Sequence, residues 1–270
     1  MNPALPSRHS VARRMTVITA ALVPVLIVEC IARGAAWVIV LLSGLVLALA
    51  LAWLARRAGG ETRAPLSGDL DVAVVALLIA LLLPTASTWL STCLAVAVAV
   101  LLGRLAFGGL GQALFNPAMV GLAVTSLMFS GTADASTWSE WAAPAAWLGG
   151  GLLVLRGIVA WQIPLAFFVG ALAATAFLTQ PIDSPSLAAL AVASHPAWVL
   201  CAFFIAGDST TGCLHPRARI AFGLGGGLLV VAFDHWQPAF GLPMAMLVMN
   251  FVAPWLDQVL ALPRRKVLSP

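Results

Sequence analysis

The stretch Phe107-Gly-Gly-Leu-Gly-Gln-Ala-Leu-Phe-Asn-Pro-Ala-Met-Val-Gly121 decides how the rest of the chain is read. Three glycines in five residues allow close approach of backbone to backbone or to a ligand. Asn116 stands where an N-cap belongs, and Pro117 suits the first helical position because its missing N–H would have no intrahelical acceptor. On both sides the chain is apolar. A glycine-rich turn between two apolar runs is a break between membrane helices, and broken backbone is tolerated at membrane depth only where protein or a polar cavity satisfies its free groups.

Composition supports that setting. The chain has 270 residues, 61% hydrophobic and 9% charged, against about 25% charged in an ordinary soluble globule. Dividing the apolar stretches by the roughly 20 residues of one crossing gives about nine or ten spans and leaves no room for a soluble domain. The expected spans are 16–32, 35–55, 70–84, 88–103, 117–130, 143–156, 161–178, 188–206, 219–233 and 242–257. The first is read as a retained helix, since no small-residue cleavage site precedes Arg33.

Basic residues orient these spans, because lysine and arginine gather on the cytoplasmic side of short loops. With ten spans and both termini cytoplasmic, 13 of the 14 basic residues fall inside and only Arg33 outside. The net charge of +4 then faces anionic headgroups, with no basic patch interleaved with aromatics to suggest nucleic acid. Cys30, Cys93, Cys201 and Cys213 form no CxxC pair and read as structural thiols.

Laid on itself at an offset of 125 residues, the chain sets Phe115-Asn-Pro-Ala-Met119 against Phe240-Gly-Leu-Pro-Met244. Five spans per half invert the second half relative to the first. The expectation is one all-α, polytopic membrane domain over 1–270, built from inverted repeats 1–130 and 143–262, with binding at their interface near discontinuous helices.

Polar groups inside an apolar chain are the functional candidates. Asp208, in Gly207-Asp-Ser-Thr-Thr-Gly212, joins a carboxylate to three hydroxyls; its structural role would be to cap the loop and pair with Arg217 or Arg219. Asn250 lies inside the last span, as helix–helix glue or as a ligand contact. His195 and the Gly223-Leu-Gly-Gly-Gly227 run read as structural, the latter as a packing surface. Asp69 and Asp71 suit a helix N-terminus, and Asp257 faces headgroups. No metal site, catalytic triad or acid/base carboxylate pair can be assembled.

The Phe107–Gly121 stretch closely resembles the signature of the D subunit of the Rnf electron-transport complex and the related B subunit of the sodium-translocating NADH:quinone reductase. Ala73 to Pro84, Ala202 to Asp208 with Arg217 to Gly223, and Met249 to Asp257 resemble the same family in the same order. The resemblance implies a ten-span subunit with a fold like that of urea channels, in the bacterial cytoplasmic membrane, within a complex that moves electrons and Na⁺ or H⁺. It further implies other membrane subunits and a cytoplasmic flavin or iron–sulfur reductase as partners, one FMN linked to a threonine in a Ser-x-Ala-Thr motif, and a second, non-covalent flavin.

The chain departs from that pattern. The loop expected to carry the covalent FMN shrinks to 130–142, where Asp134-Ala-Ser-Thr137 lacks the motif spacing, and the family's Ser-Gly-Ala-Thr before the Ala-Phe-Phe run reads His195-Pro-Ala-Trp198. Covalent FMN is therefore not expected. The expected site for a non-covalent FMN or riboflavin comprises Gly108, Gly109, Gly111, Asn116, Pro117, Asp208, Thr210, Thr211 and Asn250, with Trp198 stacking on the ring or filling its space. Whether such a subunit is itself an enzyme stays open. The alternatives are a small-solute or ion channel or transporter on the same scaffold, and a non-catalytic membrane scaffold for a redox partner.

Overall fold

The computed structural model describes residues 8–59, 69–84, 88–108, 112–129, 138–178, 185–237 and 240–261. Gly109, Gly111, Thr137, Asp183 and the basic tail Arg264-Arg-Lys266 lie outside them. All regular elements among the described residues are helical: α1 (Arg8–Ala58), α2 (Leu70–Leu82), α3 (Trp89–Val98), α4 (Pro117–Met128), α5 (Ala142–Leu155), α6 (Gln162–Leu178), α7 (Pro185–Ala193), α8 (Pro196–Leu200), α9 (Pro216–Trp236) and α10 (Gly241–Leu260). Two of them run on as π-helix, α3 through Ala99–Leu105 and α8 through Cys201–Ile205.

The long α1 is two helices in one. Gly34 takes φ 74° and ψ −169°, a conformation that L side chains avoid, and it falls between the expected spans 16–32 and 35–55. The first half packs on α5, where the position of Gly149 leaves no space for a Cβ against the Ala21 carbonyl. The second half packs on α3, with Gly44 against Thr92 and Val96.

Several helices are too short to cross on their own. By length and composition, Arg13–Ala58 and Pro216–Trp236 reach across a bilayer, and a third span appears if Ser186–Ala193 and Pro196–Ile205, bent by 67°, act together. The expected single span 188–206 is therefore a bent pair, interrupted at His195-Pro196 because proline disfavours helical backbone in the residue before it. His195 takes an extended φ/ψ of −84° and 103° there.

Packing follows the rule for helices whose surroundings are as apolar as their side chains: close approach at small residues rather than hydrophobic collapse. Gly121 of α4 rides directly on the Ala95 carbonyl of α3. Gly223 and Gly227 of α9 sit on the Ile163 and Phe167 carbonyls of α6, so the glycine run is the packing surface expected. One continuous core, with Leu22, Ile79, Met119, Ile205, Phe222 and Met246 fully buried, joins both ends of the chain.

Candidate functional site

Two chain breaks meet at one place. The first lies between the π-turn after α3 and the start of α4. Asn116 caps α4 with extended backbone (φ −63°, ψ 120°), its side chain accepting a bond from the Ala118 N–H, as its position before Pro117 requires. The second follows the π-turn after α8. There Asp208 folds the loop on itself, Oδ1 accepting from the Thr210 N–H at 3.0 Å and Oδ2 from the Thr210 hydroxyl at 2.7 Å. π-Helical turns often mark functional sites, and here both run into the same junction.

Asn250, fully buried in α10, ties the breaks together. Its Oδ1 accepts the Asn116 N–H at 3.1 Å, and its Nδ2 donates to the Thr211 carbonyl at 3.0 Å. One amide thus satisfies a donor and an acceptor that broken backbone would leave bare in an apolar interior. Asn250 is the glue that its position allowed, and both ends of its amide are engaged.

Charged groups close one side of the junction. Arg104, in the π-turn, grips Asp71 with Nε to Oδ2 at 2.5 Å and Nη2 to Oδ1 at 3.1 Å. Arg56, at the end of α1, pairs with Asp69 at 2.6 Å. Asp69 and Asp71 therefore lock three helices rather than merely opening α2. Arg14 reaches from the start of α1 to the Ser209 hydroxyl at 2.6 Å.

Between these groups lies a cavity of about 80 Å³, lined by Arg14, Asp71, Arg104, Asn116, Pro117, Phe203, Asp208 and Thr210 among others. Two guanidinium and two carboxylate groups face it, so its fixed charge balances. Neither Arg217 nor Arg219 pairs with Asp208: Arg219 donates to the Cys213 carbonyl instead. Asp257 accepts the Leu214 and His215 N–H groups at 2.8–3.1 Å and thus caps the start of α9.

Of the expected site residues, Asn116, Pro117, Asp208 and Thr210 line this cavity, and Thr211 and Asn250 stand behind its wall. Gly108 opens the glycine-rich turn at φ 95° and is not part of the lining. Trp198 lies apart from it, stacked on His195 with centroids 4.3 Å apart and the ring planes 20° from parallel. Arg14, Arg104 and Phe203 line the cavity without having been singled out, and Asp71, read only as a helix-start residue, lines it with them. Their partners stand 33 to 195 residues away, beyond any local spacing rule.

The polar groups suit a flavin, with hydroxyl, amide and guanidinium donors beside the Phe203 ring, but the space does not. Sites for small molecules and cofactors usually enclose roughly 300–1,000 Å³. At about 80 Å³ the junction has room for water or a small ion and not for an isoalloxazine ring. Among the described residues no cluster of His, Cys, Asp and Glu is arranged to hold a metal ion.

The sequence matches the model of the NQR2, RnfD, RnfE family over residues 1–142 and 125–265. A protein of Pseudomonas paraeruginosa, named as the D subunit of an ion-translocating oxidoreductase complex, is 30% identical over 249 residues, covering 70% of this chain and 72% of its own length. Proteins of the same name from Sodalis glossinidius and Haemophilus influenzae are 28% and 27% identical, each over 70% of this chain and 76% and 75% of their own lengths.

Proposed function

The chain belongs to the NQR2, RnfD, RnfE family, and from that premise we propose that it is a multi-pass membrane subunit of an ion-translocating oxidoreductase complex. Its partners are the other membrane subunits of that complex and a cytoplasmic reductase. The distribution of 13 basic residues to one side supports ten spans in two inverted halves, with both termini cytoplasmic in a bacterial cytoplasmic membrane.

One observation carries the functional part of this reading: Asn250 holds two breaks, one from each half, around a charge-balanced cavity of ion or water size. Broken helices meeting near the interface of two repeats are where membrane carriers place their small charged cargo. The chain's own contribution to coupled ion movement is then a polar passage, gated by the Arg104–Asp71 pair and the Arg14–Ser209 contact. A non-covalent flavin belongs to this reading only in a form where the cavity is widened severalfold. When bound, such a group would supply one- or two-electron transfer.

The small cavity also favours a second reading, an ion channel or transporter working without redox partners. Detergent extraction with an affinity tag on this chain separates the two. Co-purification of further membrane subunits and a reductase is the expected result, whereas an isolated chain that conducts ions in liposomes supports the second reading. The optical spectrum of the same preparation tests the cofactor independently. Absence of flavin absorbance sets the flavin aside, and a flavin that stays with the denatured polypeptide overturns the expectation that none is covalently held.

A further inference from the structure

On the lateral face of the second half, α5, α6 and α7 enclose an apolar groove of about 620 Å³. Trp147, Phe168 and Phe203 form an aromatic group along it: Trp147 stacks on Phe168 at 4.7 Å and meets Phe203 edge-on at 5.2 Å. The groove exists because α7 is short. Nine residues rise about 14 Å, less than half of the roughly 30 Å of bilayer hydrocarbon, so no helix among the described residues covers the α5 and α6 faces beyond its end. The Trp147 indole N–H donates to the Ala193 carbonyl at 2.9 Å and pins the end of α7 beside the groove.

At the far end of the groove the chemistry changes. Leu155 and Trp161 line it where α5 turns into α6, and the residue after Leu155 is Arg156. Arg156 is exposed, and its side chain forms no hydrogen bond or ion pair among the described residues. Trp161, 56% exposed, is the residue type that settles at the level of lipid headgroups. A hydrocarbon slot with an indole at its end and an exposed arginine one residue beyond its lining complements an anionic amphiphile.

We propose that this groove is a binding site for one anionic phospholipid, its acyl chain against Phe168 and Leu165 and its phosphate at Arg156. A transmembrane helix from another protein is the competing occupant. The apolar lining suits either occupant, and the Trp161 indole at its end with the exposed Arg156 beside it favours a headgroup. The proposal rests on the chain's residence in a membrane and not on its role in electron transfer.

Native mass spectrometry of the full-length protein, released from nanodiscs containing equal amounts of phosphatidylglycerol and phosphatidylcholine, tests it. The wild type is expected to retain phosphatidylglycerol in preference to phosphatidylcholine. Gly151→Leu fills the groove from a position where a Cβ meets nothing within 4 Å. It should lower lipid retention by about tenfold with an unchanged melting temperature. Arg156→Gln should keep a lipid bound while cutting the preference for phosphatidylglycerol by about fivefold, the worth of one basic residue near a charged surface. Equal retention by wild type and Gly151→Leu overturns the proposal, as does retention without headgroup preference. So does a lipid-free wild type, when a variant carrying a photoreactive residue at Leu165 crosslinks to another protein in the native membrane.

Discussion

The junction and the groove lie on opposite sides of one side chain, Phe203, which lines both. They solve opposite problems. The junction holds broken backbone and buried charge, bridged by Asn250, the Arg104–Asp71 pair and the Arg14–Ser209 bond, and the enclosed space is small. The groove is lined almost wholly by apolar side chains, its Trp147 indole N–H already bonded to the Ala193 carbonyl, and it is left wide. A cavity at membrane depth therefore costs little when apolar and open to lipid, and requires assigned partners when polar.

If that contrast is right, substitutions on the junction side of Phe203 should cost far more than those on the groove side. Thermal unfolding in detergent, followed by thiol labelling of the buried Cys201 and Cys213, reads this out. Arg104→Met strands the mostly buried Asp71 carboxylate and should cost about 3–5 kcal/mol, most of which returns in the double variant Asp71→Leu/Arg104→Met. A single variant as stable as wild type would mean that this pair does not close the junction.

Asn250→Leu comes next. It orphans the Asn116 N–H and the Thr211 carbonyl together, and should cost about 2–3 kcal/mol, toward the low end for two such groups because membrane interiors offer other partners. Two neighbouring glycines supply the finest comparison. A Cβ at Gly150 would run into the Phe203 ring, so Gly150→Ala should lose about 1–2 kcal/mol by overpacking. At Gly151 the same change meets open groove and should stay within about 0.5 kcal/mol. Equal losses at both positions would erase the distinction between the two sides of the ring.

How much of this was legible in the sequence depended on distance along the chain. The gap between the expected spans 16–32 and 35–55 anticipated the break in α1 without naming Gly34, and Asn116-Pro117 marked the start of α4, because a cap is a local device. Asn250 stood out as an amide in an apolar helix, though nothing near it named Asn116 or Thr211 as its partners. Asp69 and Asp71 looked sufficient as helix-start residues, and this hid their pairing with Arg56 and Arg104. Trp198 was grouped with the junction through its place just before the Ala-Phe-Phe run. The bend at His195-Pro196 instead leaves it stacked on that histidine, outside the cavity. The 67° angle itself is a tertiary outcome that the proline alone does not specify.

The Asn250 bridge also says something about biogenesis. Asn116 and Asn250 are 134 residues apart, and a ribosome adding about 5–20 residues per second needs roughly 7–27 s to synthesise that stretch. Throughout that interval the first half sits at the insertion machinery with the Asn116 N–H lacking its partner. The bond that completes the first half therefore waits for α10. A chain stalled or cut before residue 250 would leave an exposed polar break in the bilayer, the kind of lesion that membrane quality-control proteases could recognise and clear.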